Sequence, residues 1–345
     1  MPVVVRTGAF QGQIDTMTVI SSSATAVESE ETSPASLNFL RRMLKHRMVC
    51  VGGGLVLFLA ALALSAPFLT GMGYLQDPMQ QLTDGLDADG LPLPPGDRFL
   101  LGTDQLGRDV LARLVHGTRI SLLVGIVAML IAVCVGVTVG MLAGFHGGWV
   151  NTLLMRGTDV MLAIPGLLLA IAFAGLMDGR VIRIHIESVD WHVLDITLKR
   201  GLVSVFLVIG LVSWTWIART IRSQILILKT REFVTSSRAI GCSDIRIMVR
   251  HLLPNILPLT IVLGSLATAN TVLLDAGLSY LGVGVPPPAP SWGTMIAEGQ
   301  PYFIVTPHLT MAPGFAIIAA VVGFNLLGQG LQEVLDPYVK EGQGR

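Results

Sequence analysis

The chain has 345 residues, of which 52% are hydrophobic and only 13% are charged, and its formal net charge is zero. The mean hydropathy is +0.68. Because a soluble domain usually carries about 25% charged residues, this composition excludes an ordinary soluble fold. The zero net charge argues against nucleic acid as the main partner, since binding to phosphates needs a concentrated basic surface.

The N-terminal region is rich in Ser, Thr and Glu and has no hydrophobic periodicity, which predicts a disordered cytoplasmic tail over residues 1–40. A basic start followed by an apolar run is absent at Met1, so a cleaved signal peptide is not indicated. Basic residues stand directly before the first apolar stretch, as in a retained signal anchor: Arg41, Arg42, Lys45 and Arg47.

Six long stretches contain no Asp, Glu, Lys or Arg, and each supplies the roughly 20 apolar residues that cross a bilayer. Helices satisfy their own backbone hydrogen bonds in lipid, so we expect an all-α polytopic membrane protein. The predicted spans are residues 48–68, 120–143, 159–177, 202–218, 257–275 and 309–327.

Basic residues predict the orientation of these spans. Four precede the first span, and seven more lie between the fourth and the fifth, so both regions and both termini should be cytoplasmic. Residues 69–118 hold seven Asp against three Arg, and residues 276–308 hold no Lys or Arg; both should be external. The seven basic residues are Arg219, Arg222, Lys229, Arg231, Arg238, Arg246 and Arg250.

The external loop at residues 178–200 has partial alternation of apolar and polar residues over 181–189, which predicts a short hairpin. After the tail at residues 1–40, we divide the chain into an N-terminal region with the first span (41–118), a transmembrane domain that contains this loop (119–330) and a cytoplasmic tail (331–345).

The basic segment at residues 231–255 is predicted to form two short helices with a break. Gly241 suits the left-handed position that ends the first helix. Ser243 or Asp244 can cap the second, and Pro254 and Pro258 should limit its extension. Another protein can approach one face of the first helix closely, because the side chains there are small: Ser236, Ser237 and Ala239. Alternatively, a basic amphipathic segment can lie on anionic lipid.

This segment resembles the EAA loop of binding-protein-dependent ABC importers, in which two small residues, a glycine and a distal Leu-Pro pair mark the helix that couples to the ATPase. Thr235 stands where that family usually has a glutamate, and Glu232 lies one helical turn earlier. The resemblance implies an ATPase-coupling loop formed by Glu232, Thr235, Ser236, Ser237, Arg238, Ala239, Gly241, Leu253 and Pro254.

Two further segments are similar to signatures of the dipeptide and oligopeptide permease family, residues 101–122 and residues 277–299. In the first, residues 109–115 are predicted to form an interfacial helix that leads into the second span. In the second, repeated Gly and Pro prevent a continuous helix, so its backbone must face water, protein or a cavity. The implied external gate or binding-protein contact comprises Gly282, Gly284, Pro287, Ser291, Trp292 and Gly293.

No catalytic or metal site is predicted. The closest histidines, His185 and His192, flank Glu187 and Asp190 in the 178–200 loop. We interpret these four as polar residues of the protein surface and not as a metal site. Asp159 and Asp275 fall at predicted span ends, where snorkelling and capping are common, so the spans lack the ionisable groups of a proton relay.

A phosphate-binding glycine loop is also missing, because no lysine follows the glycine run at residues 52–54. ATP and magnesium should therefore bind a partner ATPase, and this chain should hold no cofactor.

Together these features predict a type I ABC importer permease of the inner membrane, similar to the second permease subunit of peptide importers. The resemblance implies four kinds of partner: a homologous second permease, ABC ATPase subunits, an external solute-binding protein and the lipid bilayer. The alternatives are a permease for nickel or another solute, an ATP-independent secondary transporter or channel, and an intramembrane enzyme, for which no catalytic pair is found.

Overall fold

A computed structural model describes residues 43–177, 180–186, 191–198 and 202–335. The helical bundle belongs to the unit that begins at His46. The predicted tail at residues 1–40, most of the predicted C-terminal tail, and both Glu187 and Asp190 lie outside the described residues. The first five residues of the predicted C-terminal tail, 331–335, belong to the last helix.

The described chain is helical except for one hairpin. Its elements are α1 (Arg47–Gly71), α2 (Val110–His146), α3 (Gly148–Leu162), α4 (Gly166–Met177), β1 (Arg180–Ile186), β2 (Trp191–Leu198), α5 (Leu202–Leu228), α6 (Glu232–Ala239), α7 (Asp244–Ile247), a π-helix (Met248–Leu252), α8 (Leu253–Tyr280), α9 (Trp292–Gly299), a 3₁₀ turn (Gln300–Tyr302) and α10 (His308–Leu335). The strands β1 and β2 pair antiparallel, so the hairpin predicted in this loop is confirmed.

Five helices are long and apolar enough to cross a membrane, namely α1, α2, α5, the continuous helix Asp244–Tyr280 and α10, and the bent pair α3–α4 makes a sixth crossing if it is one span. The predicted all-α membrane architecture is therefore confirmed. The helices alternate in direction, so one end of the bundle carries the 231–254 segment and the other carries α9.

The prediction that the third span is a continuous helix at residues 159–177 is wrong. Helices α3 and α4 meet at a break and are bent by 97°. Pro165 explains the break, because it has no N–H and disfavours helical backbone at Ile164, the residue before it.

The helix after the 231–254 segment is longer than expected, and the proposed limits at Pro254 and Pro258 are wrong. Pro254 lies in the first turn of α8, where a missing N–H costs little, and Pro258 lies inside that helix. Directly before Pro254 the backbone widens into the π-helix, in which Leu253 N–H donates to Met248 O. This wider turn gives the proline ring room, so one helix of 37 residues runs from Asp244 to Tyr280.

The helix predicted at residues 109–115 does lead into the second span, because both belong to α2, which begins at Val110. The side chain of Asp109 caps it and accepts from Leu111 N–H at 2.9 Å. The expectation for Asp275 is wrong. Asp275 does not snorkel from a span end. It lies inside α8, is fully buried, and its Oδ1 accepts from Ser279 Oγ at 3.4 Å.

Helices α2 and α5 form the most extensive helix pair of the bundle, and three glycines spaced by four residues let their backbones approach closely. A Cβ added to Gly140 would lie 2.5 Å from Ala218 O, and Gly136 and Gly144 meet Ile217 and Ile225 in the same way. Small residues at this spacing form one stripe of a helix, and such stripes drive helix association in membranes.

Helix α1 lies against α10 through a similar contact. A Cβ added to Gly52 would lie 2.5 Å from Leu327 N and 2.8 Å from Gly323 O. Beyond it, His46 Nε2 lies 2.8 Å from Glu333 Oε2. The first turns of α1 are thus held against the last helix.

We expect Gly52→Ala to weaken the attachment of α1, because the added methyl group meets backbone atoms that cannot rotate away. Such overpacking typically costs about 1–3 kcal/mol. Gly54→Ala is the matched control, since nothing lies within 4 Å of its Cβ and alanine favours a helix over glycine. Thermal unfolding of the purified protein measures both variants. Equal midpoints would contradict the close contact between α1 and α10.

Candidate functional site

The 231–254 segment begins with α6, whose charges suit its ends. Glu232 lies in the first turn and Arg238 in the last, which complements the helix dipole. The helix ends in a Schellman motif, because Cys242 N donates to Ser237 O and Gly241 N donates to Arg238 O, both at 3.0 Å. Gly241 has φ +81°, as the left-handed position requires, so the sequence prediction for this glycine is confirmed.

The second helix begins where the sequence predicts, but without a side-chain cap. Ser243 occupies the N-cap position of α7, where it makes no capping hydrogen bond through its side chain. Its carbonyl accepts from Ile247 N at 3.0 Å. The turn at Gly241 therefore passes into the long helix that ends at Tyr280 without a side-chain cap.

Helix α6 contacts the bundle through a narrow face. Val234 is fully buried in an apolar cluster that includes Phe145 at the end of α2 and Ile225 near the end of α5. The guanidinium of Arg238 stacks over the Phe145 ring, 5.2 Å from its centroid, a cation–π contact. Lys229 Nζ donates to Gly144 O at 2.8 Å. The ends of α2 and α5 thus form one seat for α6.

The other face of α6 has no partner within the described chain. Glu232, Thr235, Ser236 and Ala239 are exposed. Apolar side chains continue this surface, with exposed fractions of 81% at Ile240 and 71% at Ile245; Phe233 and Val249 are exposed as well. Apolar patches of this kind mark surfaces that bind another protein or a membrane.

Of the other predicted coupling residues, Ser237 is buried and its Oγ donates to Phe233 O at 2.7 Å, so it packs α6 instead of facing outward. Leu253 is half-buried in the long helix and Pro254 is exposed. The residues of the predicted coupling loop are therefore close together, but they divide between a packed face and an open face.

At the opposite end, the loop before α9 is tied to the bundle by hydroxyl groups. Ser291 caps α9 in a reciprocal box with Thr294, and the N–H of Trp292 donates to Ser121 Oγ of α2 at 3.1 Å. Ser279 Oγ accepts from Val285 N at 3.2 Å. These bonds replace the helical hydrogen bonds that the Gly- and Pro-rich sequence cannot make.

This packing divides the predicted external contact residues. Ser291, Trp292 and Gly293 are buried, and a Cβ on Gly293 would lie 2.6 Å from Ala276 O. A direct contact of these three with an external protein is thus excluded in this conformation, because α2 and α8 already cover them. Gly282 and Pro287 are exposed, while Gly284 is half-buried.

A cluster of four charges, Asp104, Arg108, Arg113 and Glu298, joins the 101–122 segment to α9; the first three are buried and Glu298 is half-buried. Asp104 Oδ2 accepts from Arg108 Nε at 2.6 Å and also from Arg113 Nη1. Glu298 Oε2 accepts from Arg108 Nη2 at 2.9 Å and from Arg113 Nη1 at 2.7 Å. The two arginine side chains are 4% and 2% exposed. Two positive and two negative charges balance here, so the cluster is neutral.

No motif predicts this cluster, although the sequence contains a signal for it. Glu298 is the only Asp, Glu, Lys or Arg between residues 276 and 332, and a lone acid in such a stretch requires a partner. The nearby N-cap residue Asp109 is buried as well. Burial raises the pKa of its carboxyl group, and the N–H groups of Leu111 and Ala112 oppose that shift. Within the described residues, no group of three or more His, Cys, Asp or Glu is placed to hold a metal ion.

Residues 136–341 match the family described as binding-protein-dependent transport system inner membrane component. The chain belongs to this family. Residues 37–95, which include α1, match the N-terminal TM domain of oligopeptide transport permease C. The protein is therefore a multi-pass inner-membrane transport component, and its helices form the membrane domain of a type I ABC importer.

Three relatives illustrate the similarity. The chain is 35% identical over 302 residues to the glutathione transport system permease protein GsiD of Pectobacterium atrosepticum, covering 88% of this chain and 91% of the relative. It is 35% identical over 320 residues to the di/tripeptide transport system permease protein DppC of Pseudomonas aeruginosa, covering 92% and 97%. The GsiD protein of Shigella sonnei is 32% identical over 302 residues, covering 88% and 90%.

We expect Asp104→Asn to destabilise this transport component strongly, because it leaves a net positive charge among buried groups. Breaking a buried ion pair costs about 3–5 kcal/mol. The asparagine Oδ1 can still accept from Leu106 N and Arg108 N, as Asp104 Oδ1 does at 2.8 and 3.0 Å. Its Nδ2 is a donor and cannot accept from the two arginines as Oδ2 does, so the change removes the charge together with these two hydrogen bonds.

Asp84→Asn is the control for this experiment, because Asp84 pairs with Arg98 on the surface, where both side chains are more than half exposed. Exposed pairs contribute about 0–1 kcal/mol. The thermal unfolding midpoint of each variant is compared with that of the original protein. A drop for Asp104→Asn no larger than that for Asp84→Asn would show that the cluster adds nothing.

Proposed function

We propose that this chain is a permease subunit of an ABC importer that moves peptides or similar small solutes across the inner membrane by alternating access. Its relatives are named for glutathione and for di- and tripeptides, and the similarity covers about nine-tenths of both chains. ATP would be hydrolysed on separate ATPase subunits, which would also bind the magnesium.

The open face of α6 is the single observation that carries the coupling role. It presents small and apolar side chains on a helix whose opposite face is fixed to the ends of α2 and α5. Thr235 stands on this open face, and among the described residues its hydroxyl bonds only to Arg231 O of its own helix, at 3.4 Å. A docking ATPase would therefore meet Glu232, Thr235, Ser236, Ala239 and the exposed apolar side chains beside them.

The orientation follows from this assignment. The 231–254 end faces the cytoplasm, as its seven basic residues predict, and both termini lie on the same side. The end that carries α9 and the Asp104–Glu298 cluster faces the external solute-binding protein. The exposed break between α3 and α4 faces a homologous second permease and the path between the two subunits.

ATP-driven closure of the ATPase subunits would pull on α6, and the turn at Gly241 would pass this movement to the helix that begins at Asp244. That helix continues to Tyr280, so movement in the cytoplasm reaches the external loop. The transmembrane domain at residues 119–330 is part of this proposal, and its bounds fall inside α2 and α10.

We expect Gly241→Pro to uncouple transport from ATP hydrolysis. Proline cannot adopt φ +81° and cannot donate the N–H that Gly241 gives to Arg238 O, so the turn between α6 and α7 must rearrange. The assembled importer in proteoliposomes should hydrolyse ATP while peptide uptake falls by about tenfold or more, an effect that corresponds to roughly 1.4 kcal/mol per factor of ten.

Gly147→Pro is the matched control, because Gly147 also has a positive φ, +69°, and donates its N–H to a helix carbonyl, that of Ala143. It lies between α2 and α3, outside the coupling loop. Unchanged uptake in Gly241→Pro, or an equal loss in both variants, would refute the position of the joint.

A further inference from the structure

A groove of about 710 Å³ begins at the break between α3 and α4. Leu162 and Leu167 flank the break and line the groove, together with side chains from α5, α8, α9 and α10. No Asp, Glu, Lys, Arg or His is among the described residues that line it. The walls of the groove therefore carry no charge of their own.

An ion pair between α3 and α5 lies at one end of this groove. Arg219 Nη2 donates to Asp159 Oδ1. Asp159 comes one turn before Leu162, and Arg219 comes one turn after Trp216, which lines the groove as well. Residues three apart are neighbours on a helix surface, so on both helices the pair lies one turn closer to the end of the bundle that carries α6. It bridges α3 and α5 where the groove ends.

The exposure of this pair indicates water on its outer side. The side chains of Arg219 and Asp159 are 52% and 47% exposed. Arg219 nevertheless lies about 14 Å before the end of α5 at Leu228, at a rise of about 1.5 Å per residue. Charged side chains at membrane depth face the interior of a bundle or a water-filled cavity and not lipid. The pair therefore stands between the groove and water.

Such a pair separates and reforms easily. Exposed ion pairs contribute little to stability, because water solvates both partners when they separate. Little apolar packing opposes the separation: Thr158 is the only buried residue of α3, every residue of which the structure describes. A second contact between the two helices, from Arg222 Nε to Asn151 Oδ1, is polar too and lies closer to α6. The contact between α3 and α5 at this end thus depends largely on side chains that can exchange each other for water.

We propose that Arg219 and Asp159 form a side-chain gate that closes the groove toward the cytoplasm and opens once in each transport cycle. This inference rests on the proposed import function and deepens it, because it names the residues that control the passage of solute on the cytoplasmic side. The gate opens by rotation of the long Arg219 side chain, so it needs no movement of the α3 backbone. Each charge is then hydrated until the pair reforms.

The first test measures access to the groove from the cytoplasmic side. Asn270 is exposed on α8 and lines the groove, so Asn270→Cys is the reporter in a chain whose three cysteines, Cys50, Cys134 and Cys242, are replaced by alanine. The assembled importer is reconstituted in proteoliposomes with its ATPase subunits outside, and a membrane-impermeant thiol reagent is added there without ATP. Leu273→Cys, at a groove position 56% exposed, is the second reporter if Asn270→Cys does not assemble.

We expect Asp159→Asn and Arg219→Gln each to raise the reaction rate of the reporter about two- to fivefold, the range that loss of an exposed ion pair allows. The double variant should react no faster than either single variant, because both changes remove the same contact. Thr152→Ala is the matched control on α3, since Thr152 is exposed and its hydroxyl donates to Gly148 O of its own helix.

Three results of this test would overturn the gate. A reporter that never reacts would show that the groove does not open to the cytoplasm. Rates in the single variants that equal those of the original protein or of Thr152→Ala would show that the pair does not control access. Additive effects in the double variant would show that Asp159 and Arg219 act independently.

The second test measures how transport is coupled to ATP. In Asp159→Asn, solute can pass back through a gate that stays open, so the peptide imported per ATP hydrolysed should fall about two- to fivefold, while hydrolysis stimulated by the loaded binding protein persists. Thr152→Ala should keep the original ratio. A pair with a purely structural role would change the amount of assembled importer and leave this ratio unaltered, and that result would overturn the gate.

These outcomes separate the gate from the proposed function. Absence of ATP-dependent peptide uptake by the unmodified importer would refute the function itself, and the reagent test does not depend on uptake. Normal uptake combined with unchanged reagent rates and an unchanged ratio of peptide to ATP would refute only the gate.

Discussion

The close contact between α2 and α5 is the interaction on which the other parts of this permease depend. Three glycines on α2 bring the two backbones together, and no hydrophobic driving force could replace that contact in lipid, where tails are as apolar as side chains. The ends of this pair form the seat of α6 through Phe145 and Ile225. Its middle forms one wall of the groove through Val212 and Ser213.

A second constraint acts where the helices stop. Backbone N–H and C=O groups outside a helix need other hydrogen-bond partners, and these partners differ from one irregular segment to the next. The loop before α9 uses the hydroxyls of Ser121, Ser279 and Ser291. The turn after α6 uses its own carbonyls. The break between α3 and α4 has neither solution, which is why it stands out as the place where a solute or a second subunit completes the structure.

Much of the fold could be predicted from the sequence, because hydrophobic length and the positions of basic residues act locally. The turn at Gly241 was predictable for the same reason, since only a glycine readily adopts φ near +80°. Proline was harder to interpret. Pro165 ends a helix whereas Pro254 and Pro258 do not, because the π-helix before Pro254 makes room for its ring. That difference depends on backbone geometry that no residue pattern displays.

The candidate sites also differ in how far the sequence predicts them. Residues of the coupling loop are contiguous in sequence, so a motif was sufficient to find them. The cluster of Asp104, Arg108, Arg113 and Glu298 joins positions about 190 residues apart, and only its lone acid, Glu298, stands out in the sequence. The groove is lined by six helices and has no local signature. Burial of Ser291, Trp292 and Gly293 likewise follows from tertiary packing, and it turned an expected outer surface into the inner face of a loop.

The uninterrupted helix from Asp244 to Tyr280 constrains the timing of any transport cycle. With 37 residues and a rise of about 1.5 Å per residue, it is roughly 55 Å long, which exceeds the thickness of the hydrocarbon core. A rigid rod that pivots within the membrane displaces its two ends in opposite directions at the same moment. Opening on one side and closing on the other are then a single event for this helix, and a state with both sides open would require it to bend.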